Sequence, residues 1–283
     1  MREVVDVVIL GAGELGGTLA HILARSEMSP VIRLVDDAGQ VAAGKALDIM
    51  QAAPIEGFAA RVSGHSGPTM PVAAGITVLA DRVRGGEWQG DGAVLLLKTI
   101  RRAAEQGVVI CAGSTHCEVV ERGVTELSYR RERLFGTAPE ALASALRAMV
   151  ALETDGSPHD VALTVLGVPP DQIIIPWDEA TIGGFLATSV LVQASQRRIA
   201  ARVAPLWPPG PIALASAAAK AIQSIVGRSR QSLCVFMAPD HSSGRRLKTA
   251  AQPVRLGADG IARVERVTLN THDQVALENA ISL

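Results

Sequence analysis

The sequence predicts an α/β protein with a doubly wound parallel sheet in its first half and an α+β region in its second. Short apolar runs alternate with amphipathic helical segments through the first half, and a glycine-rich turn separates the first run from the first helix. Near the end, an Asp-Gly pair at 259–260 joins two further apolar runs. Alternation of strands and helices favours a parallel sheet with right-handed crossovers, whereas Asp-Gly is typical of an antiparallel hairpin.

Hydrophobic periodicity predicts the strands and helices of the first half. The run from Val4 to Leu10 predicts a strand, and Leu19, Ile22 and Leu23 fall on one face of the helix that follows. Further strands are predicted at VIRLVDD, ARVSG, GITVLAD and GVVICAG. Helices are predicted at VAAGKALDIMQAA and AVLLLKTIRRAAEQ.

The second half has longer helices and strands of antiparallel type. Helices are predicted at PEALASALRAMVALE, from Thr181 to Leu206, and at GPIALASAAAKAIQSIVG, which ends at Gly227. Strands are predicted at DVALTVLGV, QSLCVFMAP and PVRLGADGIARVERV. The last helix opens with Thr271 and Gln274 in capping-box spacing.

Length and composition fit a globular protein without a strongly charged partner. The chain has 283 residues, enough for two domains, and 48% of them are hydrophobic. We place the boundary near Tyr129, which gives predicted domains of residues 1–128 and 129–283. Lys and Arg total 27 against 28 Asp and Glu, so bulk charge favours neither nucleic acid nor an anionic membrane.

The cysteines and the N-terminal segment favour a cytoplasmic protein. Cys111, Cys117 and Cys234 lie in or beside apolar runs without the paired spacing of a metal site, so we expect buried free thiols. MREVVDVVIL begins with a strand pattern and no signal peptide, and no apolar run reaches the ~20 residues of a membrane span. We therefore expect a soluble protein that binds no membrane, nucleic acid or metal.

The glycine-rich turn carries the strongest functional signal. Gly11, Gly13 and Gly16 form G-x-G-x-x-G between a predicted strand and a predicted helix, and Asp36 ends the next strand. The first glycine permits a tight turn, the second lets the backbone approach a pyrophosphate, and the third allows close helix packing. The helix N-terminus offers N–H groups to the phosphates, and the acid at Asp36 favours NAD over NADP.

This turn predicts an NAD-binding Rossmann domain. The predicted cofactor contacts are Gly11, Gly13, Glu14, Leu15, Gly16, Asp36 and Ala80. Glu14 fits such a site only if its carboxylate points to solvent, because it would otherwise repel the pyrophosphate. The alternative is a glycine-rich turn in an α/β fold that binds no dinucleotide.

The segments GAGELGGTLAHILA and GKALDIMQAAPIEGF resemble the lactate/malate dehydrogenase family, in particular the lactate-dehydrogenase-like malate dehydrogenases. The resemblance continues less specifically through RERLFGT, HDVALTVLG and PVRLGADGIARV, so it covers nearly the whole chain. It implies a Rossmann domain followed by an α+β substrate domain, NAD as cofactor, and a homodimer or tetramer.

The resemblance also implies where a catalytic histidine should lie. Members of the family use this histidine, in a Gly-Gly-His-Gly-Asp segment, to exchange a proton with the substrate oxygen. The matching segment LGVPPDQ has Pro169 in place of the histidine, followed by Asp171. Proline has no ionisable group, so it cannot act as acid or base.

Three further elements depart from the family pattern. Leu142 and Ala145 replace the Asp and Arg of an Asp-x-x-Arg pattern that orients the histidine and binds the substrate carboxylate. Ser114 stands where an Asn is expected, and the loop ADRVRGGEWQGDG matches one of two expected arginines with Arg84 but the other with Gly90. Efficient turnover of malate or lactate is not expected, since losing a general acid/base alone typically costs about 10²- to 10⁴-fold.

Two hypotheses about function remain open. In the first, the chain is an NAD-binding pseudoenzyme that serves as a binding, sensing or assembly partner. In the second, it is an active NAD-dependent oxidoreductase that acts on a different small substrate with a remodelled lid at residues 82–91.

The second hypothesis depends on a small set of side chains. His116, Glu87 and Asp91 are candidates for acid or base, Arg84 for an anion contact, and Trp88 for a stacking surface. His116 follows the fifth predicted parallel strand, at an edge where open α/β sheets bind ligands. The alternative is an ordinary surface loop. A carboxylate within reach of nicotinamide would favour the enzyme, whereas a pocket plugged by Trp88 would count against it.

Overall fold

The computed structural model describes residues 5–67, 74–240 and 247–282. The strands in these ranges are β1 Val7–Leu10, β2 Val31–Asp36, β3 Arg61–Ser66, β4 Ile76–Leu79, β5 Asp81–Arg82, β6 Gly86–Glu87, β7 Val108–Cys111, β8 Leu134–Gly136, β9 Val161–Ala162, β10 Leu166–Val168, β11 Gln172–Ile174, β12 Thr181–Ile182, β13 Phe185–Leu186, β14 Leu233–Met237, β15 Ala250–Gly257 and β16 Gly260–Val264.

The helices lie between these strands in the order that the first half predicts. They are α1 Glu14–Arg25, α2 Gly39–Glu56, α3 Gly90–Ala103, α4 Cys117–Thr125, α5 Ala138–Glu153, α6 Ala187–Val190, α7 Gln193–Ala200, α8 Pro211–Ile225 and α9 Thr271–Ile281. Within the described ranges, none of them combines the length and apolarity needed to cross a membrane.

One large sheet runs through both halves of the chain. Its parallel strands have the order β3-β2-β1-β4-β7-β8, which is that of a doubly wound dinucleotide-binding sheet. Antiparallel strands continue it in the order β14-β15-β10-β11, and β16 pairs with β15. The predicted parallel sheet and the predicted antiparallel strands are both confirmed.

The two faces of the sheet are covered by different helices. Val7 and Ile9 of β1 belong to a core shared with α1, α2 and α8, whereas Val8 and Leu10 belong to a core shared with α3 and α4. Successive side chains of a strand point to opposite faces, so a strand covered on both sides is apolar throughout. This explains the continuous apolar runs in the first half.

The predicted long helix from Thr181 to Leu206 is wrong. Gly183 and Gly184 have φ values of 57° and 85° and form the turn between β12 and β13. The chain then makes the short α6, extends through Leu191 and Val192, and begins α7 at Gln193. Apolar periodicity could not reveal these breaks, because the hairpin depends on pairing of β12 with the distant β9.

Two smaller predictions also need correction. The predicted strand DVALTVLGV is divided into β9 and β10, which belong to different sheets. The last helix is capped by Asn270, whose side chain accepts the N–H of Asp273 at 2.9 Å, and not by Thr271. Asn is as good an N-cap as Ser or Thr. The predicted cap at Thr271 was therefore placed one residue too late. The stop at Gly227 is confirmed by its φ of 75°.

The loops after β1, β4 and β7 lie next to one another at the carboxyl edge of the sheet. These strands are neighbours, and the order of the sheet reverses between β1 and β4. Open α/β sheets bind ligands in the crevice at such a reversal. The loops at residues 11–13, 80–89 and 112–116 therefore form the candidate site.

Candidate functional site

The glycine-rich turn has the tight geometry that its sequence predicts. Gly11 has a φ of 118°, and a Cβ atom on it would lie 2.4 Å from the carbonyl oxygen of Asp81. A Cβ on Gly16 would lie 2.0 Å from the carbonyl oxygen of Gly11. Larger residues would therefore push the turn away from α1 or from the loop after β4.

A carboxylate of the same chain occupies the N-terminus of α1. Asp81 Oδ2 accepts the N–H of Glu14 at 2.9 Å, and Asp81 Oδ1 accepts the N–H of Gly16 at 3.0 Å. The N–H of Gly13 is also taken, by the Asp81 carbonyl at 2.8 Å. These are the donors that a helix N-terminus offers to an anion. Asp81 thus stands at the position predicted for a pyrophosphate.

Asp36 ends β2 as predicted, but its carboxylate is bound to backbone. It is 2% exposed, and its Oδ2 accepts the N–H groups of Ala12 at 2.8 Å and Val83 at 3.0 Å. Its Oδ1 accepts the N–H of Ala38 at 2.9 Å. Asp36 therefore joins the glycine-rich turn to the loop after β4.

The other predicted cofactor contacts lie around the same turn. Glu14 is exposed. Leu15 is 2% exposed and Ala80 is fully buried, so their side chains pack in the core. Lys45 of α2, which sequence reasoning missed, donates to the Gly13 carbonyl at 2.6 Å. Lys45 could have been noticed in the sequence, because it is the sole cation of the segment GKALDIMQAAPIEGF.

Residues 81–88 form a hairpin that folds into the crevice, and we call this segment the inner hairpin. Its strands β5 and β6 pair antiparallel, and Gly85 and Gly86 turn the chain with φ values of 98° and 66°. The Arg82 guanidinium lies 4.6 Å from the centre of the Trp88 ring. Trp88 is 8% exposed and donates its indole N–H to the Leu10 carbonyl at 3.1 Å. The ring belongs to the buried cluster that also contains Leu10 of β1 and Leu79 of β4.

Glu87 occupies a second set of backbone donors, just before α4. Its carboxylate accepts the N–H of Ser114 and of Thr115, both at 2.8 Å, and the hydroxyl groups of the same residues at 3.1 Å and 2.6 Å. Burial opposes the charge, but these hydrogen bonds and nearby His116 lower the pKa of Glu87 below its usual value. Glu87 is therefore an ionised, fully engaged acceptor.

His116 is a buried neutral imidazole. It has no exposed surface, and its Nδ1 accepts the N–H of Gly113 at 2.9 Å, which leaves the proton on Nε2. Burial lowers the pKa of His116 to about 4. Gly113 separates the imidazole from Glu87, and a Cβ there would lie 2.5 Å from Glu87 Cδ.

The candidates for replacement chemistry do not converge on one reacting position. Glu87 and His116 are neighbours, but Glu87 already accepts four hydrogen bonds, and His116 is fully buried with its Nδ1 bound to the N–H of Gly113. Arg84 is exposed at the tip of the inner hairpin. Asp91 pairs with Arg122 of α4 at 2.8 Å, with 97% of the Asp91 side chain exposed. No group of three metal-binding side chains is present in the part of the chain that the structure describes.

The positions that the resemblance assigns to the catalytic histidine and its partner lie in two different parts of the structure. Pro169 and Asp171 lie in the turn between β10 and β11. Leu142 is fully buried in a core that α5 shares with the second half. The acid and base nearest to it in sequence, Glu140 and Arg147, form an ion pair at 2.9 Å with each other.

Glu140 is the buried centre of a cluster of ion pairs and hydrogen bonds. It is 3% exposed and also accepts from Lys220 of α8 at 3.0 Å and from the N–H of Cys234 in β14 at 2.9 Å. The cluster thereby fixes α5 against α8 and the sheet. Cys111 and Cys234 are buried free thiols, as predicted, and Cys117 is a partly buried one.

Comparison with known proteins agrees with this architecture. No family profile matches the chain. A curated malate dehydrogenase of Desulforudis audaxviator is 27% identical, and the match covers 98% of this chain and 95% of that protein. The solved malate dehydrogenase of Salinibacter ruber is 22% identical with a TM-score of 0.83, covering 97% and 93% of the two chains. A Cryptosporidium parvum lactate dehydrogenase, solved with lactic acid and NAD, is 18% identical with a TM-score of 0.88, covering 99% and 95%.

The sheet order and the glycine-rich turn define a Rossmann-type α/β protein with a second α+β region. Similarity along almost the whole length to curated malate dehydrogenases identifies it further. Its curated relatives are malate dehydrogenases and its structural neighbours are malate and lactate dehydrogenases, which supports membership of the lactate/malate dehydrogenase family.

Proposed function

We propose that this chain has kept the fold of its family but does not transfer hydride to or from a 2-hydroxy acid. The observation that carries this proposal is Pro169, which stands in the place of the acid/base histidine. No proton can be exchanged at a proline side chain, and no other histidine lies at this turn in the sequence.

The lack of a substrate clamp supports the same proposal. Leu142 and Ala145 on α5 replace the pair that orients the histidine and binds the substrate carboxylate, and Gly90 replaces an arginine of the lid. A clamp on a carboxylate needs the planar, bidentate fork of arginine, which these side chains lack. The one matching arginine, Arg84, is exposed at the hairpin tip.

The competing proposal, an oxidoreductase with a remodelled lid, has less support. A general base must have a lone pair free to reach the proton that it removes. The carboxylate of Glu87 already accepts four hydrogen bonds, and Trp88 fills the crevice. These contacts favour the pseudoenzyme hypothesis.

NAD is the dinucleotide that we propose for the glycine-rich turn, on the basis of its G-x-G-x-x-G spacing and Asp36. In the arrangement described above, however, the residues do not fit a dinucleotide, because Asp81 takes the phosphate donors and Asp36 is tied to three backbone N–H groups. Binding would require these contacts to open.

We further propose that the chain is a cytoplasmic homodimer or tetramer. Its cysteines are free thiols, which fits a reducing compartment. Large apolar side chains are exposed on α2 and α8, both of which flank α1: Leu47 at 59%, Ile55 at 88% and Ile212 at 66%. A second copy of the chain would bury them. Such a protein would act as a binding, sensing or assembly partner.

The proposal is tested by NADH-dependent reduction of oxaloacetate and of pyruvate, with an authentic malate dehydrogenase assayed in parallel. Enzymes of this kind turn over at roughly 1 to 10³ per second. We expect NADH consumption indistinguishable from the protein-free rate, even with millimolar NADH and substrate. Turnover within a hundredfold of the parallel enzyme would refute the proposal.

A further inference from the structure

We propose that the inner hairpin is an internal competitor for the dinucleotide site, with the Asp81 carboxylate standing in for the pyrophosphate. The inference rests on the assignment of NAD to the glycine-rich turn. In this proposal, the chain carries its own anion for that position.

The Asp81 carboxylate matches the hydrogen-bond donors at the N-terminus of α1. Its two carboxylate oxygens bind two different N–H groups of the first turn of α1, at 2.9 Å and 3.0 Å. The N–H of Gly16 is in the first turn, where it has no carbonyl partner within the helix. A negative charge is favourable there, whether it comes from a phosphate or from a carboxylate.

Gly13 permits the close approach of the Asp81 carboxylate to the backbone. A Cβ on Gly13 would lie 2.2 Å from Asp81 Oδ2, so the missing side chain makes room for this carboxylate. The same absence is what lets the backbone approach a pyrophosphate in a dinucleotide site. The Asp81 carboxylate and a pyrophosphate would need the same space and the same N–H donors, so they cannot bind at the same time.

The inner hairpin is held in place at several independent points. The N–H of Val83 binds Asp36, and the Trp88 indole binds Leu10. Glu87 binds Ser114 and Thr115 at the start of α4. A dinucleotide would have to displace a hairpin that contacts the last residues of β1 and β2 and the loop after β7. Its apparent affinity is then reduced by the small fraction of molecules in which the hairpin is open.

The test compares NADH binding to the wild-type chain and to D81G, by calorimetry at neutral pH. A matched control is E105G, which also replaces an acid in a turn by glycine but lies before β7, at the opposite edge of the sheet. D81N is the second variant, since it keeps the side-chain volume and removes the charge. Thermal melting of each variant establishes that it is folded.

We expect D81G to bind NADH at least tenfold more tightly than the wild type, D81N to lie between them, and E105G to match the wild type. Inorganic pyrophosphate should raise the melting temperature of D81G and leave that of the wild type unchanged. If D81G binds NADH within twofold of the wild-type affinity, or more weakly, the inference is overturned. It is also overturned if neither protein binds NADH detectably. Oxaloacetate turnover by the wild type would instead refute the proposed function and leave this comparison of affinities unaffected.

Discussion

Three acids at the crevice act as acceptors for backbone N–H groups. Asp36 and Asp81 bind the glycine-rich turn and the start of α1, and Glu87 binds the start of α4. The glycines and Asp36 could be predicted from spacing alone, since each is defined by its neighbours in sequence. The role of Asp81 could not, because its partners Glu14 and Gly16 lie 67 and 65 residues away.

His116 provides a prediction at the residue scale. The unfolded chain takes up the imidazole proton near pH 6.5, whereas the folded chain does so only at about pH 4, because burial lowers the pKa. The free energy of unfolding should therefore fall as pH is lowered from about 6.5 towards 4. Urea unfolding of the wild type and of H116N across this range measures the effect.

H116N is the appropriate comparison because an Asn oxygen can accept the N–H of Gly113 without titrating. We expect the stability difference between wild type and variant to shrink as the pH falls, since the wild type alone loses this contribution. Hydrogen bonds from Ser114 and Thr115 lower the pKa of Glu87, and these bonds do not involve the side chain at position 116. Parallel stability curves for the two proteins would show that His116 is not a buried neutral group.

At the scale of elements, the strands and helices of the Rossmann half were predictable because their apolar faces repeat regularly. The errors arose where long-range contacts override local pattern, as in the hairpin of β12 and β13. The inner hairpin is a further case. Its sequence DRVRGGEW concentrates charge next to glycines, but only the fold shows which backbone groups receive the carboxylates.

Helix α5 offers a prediction at this scale. Replacing Glu140 by Ala should lower the free energy of unfolding by about 3–5 kcal/mol, because it leaves Arg147 and the N–H of Cys234 without their buried partner. E140Q keeps one acceptor and should cost less. Urea denaturation of both variants measures these losses.

The control for α5 is E153A on the same helix. Glu153 pairs with Arg198, whose side chain is 49% exposed, so solvent screens this ion pair and its loss should cost far less. Equal losses in E140A and E153A would contradict a buried anchoring role for Glu140.

In the molecule as a whole, the fold of malate and lactate dehydrogenases is combined with a crevice occupied by the chain's own side chains. Similarity to a curated malate dehydrogenase covers 98% of the chain, and both faces of the parallel sheet are packed by helices. Stability of this fold needs the two apolar cores, and neither core needs a catalytic histidine or arginine. The fold can therefore remain stable while Asp81 and Trp88 of the same chain occupy the crevice.

The most direct test of this account is amide hydrogen exchange of the ligand-free wild-type chain, resolved residue by residue by NMR and compared with D81G. The account predicts slow exchange at Glu14 and Gly16 in the wild type, because Asp81 binds both N–H groups. In D81G these two amides should exchange at least tenfold faster, while Ser114 and Thr115 keep their protection by Glu87. Exchange at Glu14 and Gly16 that is equally fast in both proteins would mean that the crevice is open in solution, and would contradict the account.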